Sequence, residues 1–201
     1  MQFTSKLPAE ERREITINAV IKLAGSQNPS EITTAAIAKH MQLTQGALFR
    51  HFATKDDIWL AVMEWVRDQF STQIIRTEQS MSEPLAAMRV MFMRHIDFVT
   101  KYPGVPRMLF GELQKAKWTP AKGAAQSLIK HYTERLCALI EQGKASGDIS
   151  DDVGTKDAAV LFIGTIQGLI MQSILSGDIQ RIRTDAPGVF KIYQRGIRSW
   201  K

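Results

Sequence analysis

Two short helical patterns separated by only three residues constrain the fold of this chain more than any other feature. The patterns cover residues 33–41 and 45–52, and residues 42–44 lie between them. Apolar residues within each pattern recur four positions apart, as Ile37 and Met41 do, so each pair lies on one helix face. The spacing therefore predicts two packed helices joined by a tight turn, which is the helix-turn-helix arrangement.

The second of these patterns carries a polar side that points away from the predicted packing. If Leu48 and Phe52 face inward, Phe49 and Arg50 face outward. The major groove of DNA is wide enough to admit such a helix. Residues 32–55 contain Lys or Arg but no Asp or Glu, and this charge pattern suggests a polyanionic partner. Taken alone, the segment is also consistent with a helical hairpin whose charged face is simply solvated.

The start of each short helix offers groups that suit a phosphate. Thr33 and Thr44 stand at predicted N-caps, where a hydroxyl accepts a backbone N–H. Their hydroxyls also suit a phosphate oxygen, and Lys55, just before the fourth helix, can pair with a phosphate as a point charge.

The segment 33–57, TTAAIAKHMQLTQGALFRHFATKDD, resembles the tetracycline-repressor-type (TetR) transcriptional regulators. The residues that carry the resemblance are Thr33, Ile37–Ala38, Thr44–Gly46, Leu48–Phe49, Phe52 and Lys55. The resemblance implies an all-α protein with an N-terminal three-helix DNA-binding head, containing the helix-turn-helix, and a larger helical ligand-binding and dimerisation domain. We accordingly expect a DNA-binding domain at 1–54 and an effector-binding and dimerisation domain at 55–201.

The resemblance also implies which residues contact DNA. They are Thr33, Thr34, Thr44, Gln45, Gly46, Ala47, Phe49, Arg50, His51 and Lys55. Gln45, Ala47 and Arg50 are the candidates for base edges, and Thr33, Thr44, Phe49, His51 and Lys55 would lie at or near the backbone.

Two positions depart from the family pattern. Members usually have glycine in the turn, whereas this chain has Gln42, which costs about 1 kcal/mol if that residue is left-handed. Members often have tyrosine at the position of Phe49, whose ring offers apolar contact but no hydroxyl for a phosphate.

The remainder of the chain is also predicted to be helical, because it contains no alternating strand pattern. We expect a first helix from Pro8 to the stop at Asn28–Pro29 and a fourth from after Thr54 to Ile75. Further helices are expected at about 83–101, 106–113, 120–142, 155–175 and 187–200.

Residues 158–174 are apolar around much of a helix, which requires burial on more than one side. Gly164 and Gly168, four residues apart, allow another helix to approach closely. We therefore predict a homodimer; a helix buried within one chain is the simpler alternative. The predicted interface consists of Ile163, Gly164, Gln167, Gly168, Met171, Val189, Ile192 and Tyr193.

A stretch rich in methionine and aromatic residues is the candidate effector pocket, because such side chains accommodate apolar ligands of varied shape. The candidate lining consists of Met88, Met91, Phe92, His95, Met108 and Trp118. Each is also consistent with ordinary core, and His95 with a hydrogen-bonded core histidine. The basic tail, net +5 over residues 179–201, is interpreted as a solvated face.

Several other classes are disfavoured by the sequence. Cys137 is the only cysteine, which argues against a disulfide framework, and residues 1–14 contain no apolar signal-peptide core. The apolar run 158–171 contains Thr165 and Gln167 and is expected not to span a membrane. The four histidines lack metal-ligand spacing, and no catalytic motif is recognisable, so we expect no metal, no cofactor and no enzymatic activity.

The sequence thus predicts a cytoplasmic, sequence-specific regulator that binds a palindromic operator as a homodimer, most simply a repressor released by a small apolar or amphipathic effector. Two alternatives remain open. One is a helical small-molecule-binding protein whose DNA head is vestigial. The other is an architectural DNA binder without effector control.

Overall fold

The structure, a computed structural model, describes residues 8–72, 81 and 83–199. Those residues form nine α-helices and a short 3-10 helix, Pro29–Glu31. The α-helices are α1 (Ala9–Ser26), α2 (Thr34–His40), α3 (Gln45–Phe49), α4 (Lys55–Phe70), α5 (Pro84–Lys101), α6 (Gly104–Gln114), α7 (Pro120–Ala145), α8 (Thr155–Ser176) and α9 (Arg181–Ile197). The all-α prediction is confirmed.

The helix bounds differ from the predicted ones at several places, and α7 ends at Ala145, three residues beyond its predicted end at 142. α3 ends at Phe49 and not at Phe52, and α6 begins at Gly104, two residues before Pro106. The predicted end of α4 at Ile75 lies outside the described residues.

The largest difference is at α9, which begins at Arg181, six residues before the predicted start at Pro187, and ends at Ile197, three residues before its predicted end at 200. A proline inside a helix removes one backbone hydrogen bond and costs about 3 kcal/mol. Ile182 and Ala186 precede Pro187 and are buried on the same face as Phe190. Because burial of this continuous face stabilises the helix on both sides of the proline, the helix runs through it.

The chain divides into two compact units, with boundaries inside α4, between α5 and α6, and inside α7. Unit 1 comprises the described residues of Met1–Arg67 and Tyr102–Gln126, and unit 2 those of Asp68–Lys101 and Ser127–Lys201. α6 therefore groups with the first helices, although it follows them by more than thirty residues. The predicted boundary at residue 54 separates a DNA-binding domain from an effector-binding and dimerisation domain. It is a functional boundary and stays a prediction.

Unit 1 is built on a close contact between α1 and α6. A methyl group added at Gly104 would collide with the carbonyl oxygen of Ile21 and lie 2.8 Å from the backbone nitrogen of Gly25. Only glycine at position 104 allows the backbones of α1 and α6 to lie this close together. The buried apolar side chains of α1, including Val20 and Ile21, form one side of the core that supports α2 and α3.

Unit 2 has an aromatic core. The ring of Phe92 in α5 lies 5.3 Å from that of Phe162 in α8 and 5.2 Å from that of Phe190 in α9, measured between centroids. The first pair is edge-to-face, with an interplanar angle of 88°, and the second is tilted, with an angle of 52°. Aromatic pairs in an edge-to-face arrangement stabilise a core beyond the area they bury. An isolated antiparallel bridge between Ile149 and Arg198 ties the α7–α8 connection to the end of α9.

Among the described residues, α8 is long and apolar enough to cross a membrane if length and composition alone are considered. Core helices of soluble proteins pass the same test. Seven of its side chains are buried within unit 2, including Phe162, Ile166 and Ile170. α8 therefore serves as a core helix along one of its faces.

Candidate nucleic-acid interface

The turn between α2 and α3 is formed by Gln42 in the left-handed conformation, with φ 56°. The N–H of Gln42 donates to the carbonyl of Lys39 at 3.1 Å, and that of Leu43 donates to Ala38 at 2.8 Å. This pair of bonds is the Schellman motif, which satisfies the last carbonyls of a helix. Gln42 thus forms the turn that family members usually form with glycine, and its backbone is strained in the left-handed conformation.

Threonine caps begin both helices. Thr33 Oγ1 accepts a hydrogen bond from the N–H of Ala36 at 3.1 Å, and Thr44 Oγ1 accepts one from Ala47 at 3.2 Å. Both threonines are exposed. A capping hydroxyl uses a lone pair for the backbone and keeps its own proton, so each can still donate to a phosphate oxygen.

The outward side of α3 is exposed. Leu48 is buried, whereas Gln45, Gly46 and Arg50 are exposed, and the Phe49 side chain is 43% exposed. Gln45 Nε2 donates to Thr34 Oγ1 at 3.1 Å, which links the two helices at their polar edge. The described surface of α3 therefore presents hydrogen-bonding groups and one aromatic ring, as a base-reading helix requires.

Lys55 begins α4 beside an aromatic ring. Its Nζ lies 4.7 Å from the centroid of the Trp59 ring, a cation–π geometry. Burial lowers the pKa of Lys55, and the positive charge of Lys115 lowers it further, whereas Asp56 and Glu112 act in the opposite direction. Because its ammonium group is partly desolvated, Lys55 gains more than a fully hydrated lysine would from an approaching anion.

His51 follows α3 and contacts α1. Its Nε2 lies 3.4 Å from Arg12 Nη1, and its carbonyl oxygen accepts a hydrogen bond from Arg13 Nη1 at 3.5 Å. The side chain is half-buried. Sequence reasoning missed Arg12 and Arg13, since nothing in their spacing indicates that they meet a residue nearly forty positions later.

Four of the six candidate effector residues lie in the interior of unit 2. Met88, Met91 and Phe92 are fully buried in α5. His95 Nδ1 lies 3.2 Å from the hydroxyl oxygen of Tyr132, and burial lowers the pKa of His95 to about 3. The histidine is therefore neutral at physiological pH, with one ring nitrogen committed to Tyr132.

The structure does not group the other two candidates with these four. Met108 is buried and Trp118 is 70% exposed, and both belong to unit 1. The Trp118 ring packs beside Gly123, where an added methyl group would meet it at 3.3 Å. An exposed ring does not wall an enclosed pocket, so Trp118 is withdrawn from the candidate lining.

The predicted dimer residues lie on the outer side of α8 and α9, with one exception. Gly164, Gln167, Met171 and Ile192 are exposed, whereas Ile163, Gly168 and Val189 are half-buried. Tyr193 is the correction. Its hydroxyl donates to the carbonyl of Ala158 at 3.0 Å inside unit 2, and burial raises the pKa of that hydroxyl.

The same outer side holds apolar residues that the sequence analysis missed. Val160, Leu161 and Leu175 are exposed, Leu175 by 79%. An open groove of about 630 Å³ lies between α8 and α9, with Gly168, Val189 and Ile192 among its lining residues. Nothing lies within 4 Å of a methyl group built at Gly164 or Gly168. This outer surface of α8 and α9, here called the α8–α9 face, can therefore receive another helix closely.

Comparisons with known proteins agree with this architecture. The sequence family described as bacterial regulatory proteins, tetR family, matches residues 17–62, and the tetracyclin repressor-like C-terminal domain matches residues 116–186. The first match contains α2 and α3, and the second contains the whole of α7 and α8 and the beginning of α9. Together the two matches cover more than half of the chain.

Individual relatives are distant but extend over most of the chain. The nucleoid occlusion factor SlmA of Marinomonas sp. is 23% identical over 166 residues, which are 83% of this chain and 84% of that protein. FadR from Bacillus subtilis in complex with stearoyl-CoA superposes with a TM-score of 0.78 at 16% identity, covering 92% of this chain and 99% of FadR. AibR in complex with isovaleryl coenzyme A and operator DNA superposes with a TM-score of 0.76 at 18% identity, covering 90% and 97%.

The fold and the exposed helix-turn-helix define a DNA-binding transcriptional regulator, and the chain belongs to the TetR family. Regulators of that class bind operator DNA, form dimers and bind small-molecule ligands. The family and the solved structures that the chain resembles are transcriptional regulators.

Proposed function

We propose that this protein is a cytoplasmic, homodimeric regulator that reads a palindromic operator with α3 and is released from it by a small apolar or amphipathic effector. The observation that carries the proposal is the exposed polar side of α3. There Gln45 and Arg50 are exposed while Leu48 anchors the helix to the core. Repression follows if the operator overlaps a promoter.

Contacts to DNA divide into two kinds in this proposal. Gln45, Ala47 and Arg50 meet base edges, where arginine pairs best with guanine and glutamine with adenine. Thr33, Thr44 and Lys55 bind phosphates and set the position of the helix, with Phe49 against a sugar or a thymine methyl group. The hydrogen bond between Gln45 and Thr34 prepares the glutamine by limiting its rotamers before DNA arrives.

Dimerisation is proposed to use the α8–α9 face. Exposed apolar side chains such as Leu161, Leu175 and Ile192 are unfavourable in water, and contact with a second copy of the chain buries them. Two α8 helices can approach closely across Gly164 and Gly168, because both glycines face open space. A two-fold axis through this face produces two identical reading helices, as a palindrome requires.

The effector is proposed to act by linkage. A ligand that binds better to a conformation whose two α3 helices cannot span the half-sites weakens operator binding by that difference in affinity. The methionine and aromatic side chains around His95 favour an apolar group. FadR and AibR were solved with acyl-coenzyme A thioesters, so these compounds are the first effectors to test.

The experiment is selection of duplexes by the full chain from a random DNA library, followed by a gel shift at several salt concentrations. The proposal expects a palindromic consensus and binding that weakens steeply with salt. Stearoyl-CoA and isovaleryl-CoA are then titrated against the complex, with free coenzyme A as the matched control. Equal affinity for the consensus and for scrambled DNA contradicts the proposal of sequence-specific reading.

A second candidate is DNA binding without effector control. It is favoured by the similarity to nucleoid occlusion factors over 83% of the chain. Chromatin immunoprecipitation distinguishes the two: a regulator occupies few promoter sites and leaves them when the effector is supplied. A chromosome-organising protein occupies many sites and stays. The remaining alternative, a ligand-binding protein with a vestigial head, predicts no salt-dependent DNA binding.

A further inference from the structure

Two arginines of α1 hold the residue that follows α3. Arg12 Nη1 approaches the ring of His51 at Nε2, 3.4 Å away, and Arg13 Nη1 donates to the His51 carbonyl at 3.5 Å. The guanidinium carbon of Arg13 lies 4.8 Å from the centroid of the Phe52 ring. His51 is therefore held at its ring and at its backbone by different residues of the same helix.

The contact at the ring determines where the histidine carries its proton. Arginine stays protonated and has only donors, so in this pair Nε2 of His51 must accept. An accepting Nε2 carries no proton. The ring proton that remains is then on Nδ1, which is the less common tautomer of a free histidine side chain.

The Nδ1–H group is thereby left as the only donor of the ring. Within the described residues the structure shows no hydrogen bond from Nδ1, and the His51 side chain is half exposed. A phosphate oxygen is a strong acceptor for such a donor. We infer that Arg12 is a positioning residue that fixes the Nδ1–H tautomer of His51, so that this group donates to a DNA phosphate at the end of α3; the inference rests on the proposed DNA-binding function.

A second observation concerns the Arg12 side chain itself. Its Nε atom is buried and has no hydrogen-bond partner in the described part of the chain. A partly desolvated guanidinium without full compensation favours a nearby anion, because the attraction is less screened by water. A phosphate that accepts from His51 Nδ1 also brings negative charge towards Arg12.

The tautomer is measured on the full chain without DNA, from the ¹⁵N shifts and ring proton couplings of His51. The wild type is expected to show a pyrrole-type Nδ1 and a pyridine-type Nε2 near neutral pH. Arg12→Met, which keeps the aliphatic stem, is expected to shift the ring towards the Nε2–H form. Arg13→Met is the matched control. It removes the same charge from the same helix, but Arg13 contacts His51 at its backbone carbonyl and not at its ring.

The wild-type spectrum alone can overturn the inference, whether or not the variants fold. A pyridine-type Nδ1 in the wild type contradicts it. So does an Arg12→Met spectrum with the tautomer unchanged.

The consequence for DNA is measured with a short duplex of random sequence, since a phosphate contact needs no particular base. Asparagine places its amide nitrogen near the position of Nδ1, and glutamine places its own near Nε2. His51→Asn is therefore expected to keep most of the affinity, whereas His51→Gln loses about 10-fold, the amount typical of a hydrogen bond to a charged group. Equal affinities of the two variants overturn the inference.

Failure of the DNA-binding proposal is recognisable separately. If the wild type shows the expected tautomer but does not bind duplex DNA in a salt-dependent way, the proposed function is wrong and the Arg12 contact is a structural one. If the wild type binds DNA and Arg12→Met loses no more affinity than Arg13→Met, the function stands and the role of Arg12 is wrong.

Discussion

The α2–α3 hairpin and the α8–α9 face are both exposed, but they are built in different ways. α3 is five residues long and buries only Leu48, and its shape is set by neighbours in sequence: the Thr44 cap and the turn at Gln42. α8 is 22 residues long and apolar on both sides; residues distant in sequence cover its inner side and leave the outer side exposed. Exposed polar side chains on a helix held by local contacts, as in α3, are suited to binding DNA. Exposed apolar side chains on a helix that is also part of the core, as in α8, are suited to binding a second protein chain.

The largest effect is expected from breaking the α8–α9 face. Ile192→Glu places a charge in the groove and is expected to produce monomers, seen by analytical ultracentrifugation. Because two linked half-site contacts become one, operator affinity is expected to fall by about 100-fold or more. Lys191→Glu is the control, since Lys191 is also exposed but turned about 100° around the helix. A dimeric Ile192→Glu protein shows that the face serves another purpose.

A smaller effect is expected from the hairpin, where one variant removes base reading and another removes only charge. Arg50→Ala is expected to weaken operator binding by about 10-fold and to broaden the selected consensus at one position. Lys55→Ala is expected to weaken binding to all sequences alike and to reduce the slope of log affinity against log salt by about 1. The pair is measured by fluorescence anisotropy on operator and scrambled duplexes. If Arg50→Ala weakens both duplexes equally, Arg50 acts on the backbone.

The interior behind the α8–α9 face should respond to pH through His95. Its pKa is lowered to about 3 in the folded chain by burial, against an ordinary value near 6.5 in the unfolded chain. Below pH 6.5 His95 binds a proton in the unfolded chain but not in the folded chain. The contribution of His95 to the free energy of unfolding is therefore fully present above pH 6.5 and declines as the pH falls towards 3.

The decline attributable to His95 approaches about 1.4 kcal/mol per pH unit. The free energy of unfolding is measured by urea titration between pH 7 and pH 5 for the wild type and for His95→Gln, which keeps a partner for Tyr132. The variant is expected to lose this part of the slope. His131→Gln, which removes an exposed histidine from α7, is the matched control. An unchanged slope in His95→Gln contradicts a buried neutral histidine.

The smallest effect is expected at the turn of the hairpin. Gln42→Gly relieves the left-handed strain and is expected to stabilise the protein by about 1 kcal/mol, a rise in the melting temperature of a few degrees. Gln42→Ala is the comparison, because alanine has the same steric conflict at positive φ and should bring no such gain. If glycine brings none either, the side chain of Gln42 makes a compensating contact when the protein is in solution.

Much of the hairpin could be predicted from sequence, because its determinants are local. The caps at Thr33 and Thr44 and the inward side of Leu48 all follow from spacing within twenty residues. Whether Gln42 is left-handed was left open by the sequence, and the structure shows that it is, with φ 56°. The roles of individual residues on DNA stay predictions.

Two of the wrong predictions share one physical cause, which is contact between residues distant in sequence. Tyr193 was assigned to the dimer interface as part of one apolar stripe with Val189 and Ile192, yet its hydroxyl donates to the Ala158 carbonyl in another helix. Likewise, Pro187 was predicted to begin the last helix, but α9 begins at Arg181, because Ile182 is buried in the core before the proline. Trp118 looked like a pocket residue from composition, and only the fold exposes it.

By itself, the sequence determined the helical class, the helix-turn-helix and the polar side of α3, since short-range periodicity and capping encode them. Only the tertiary structure decided which apolar residues of α8 and α9 remain in contact with water and which arginines of α1 reach His51. Those outcomes depend on how helices far apart in the chain pack together, and helical periodicity marks an apolar side without naming the partner that covers it.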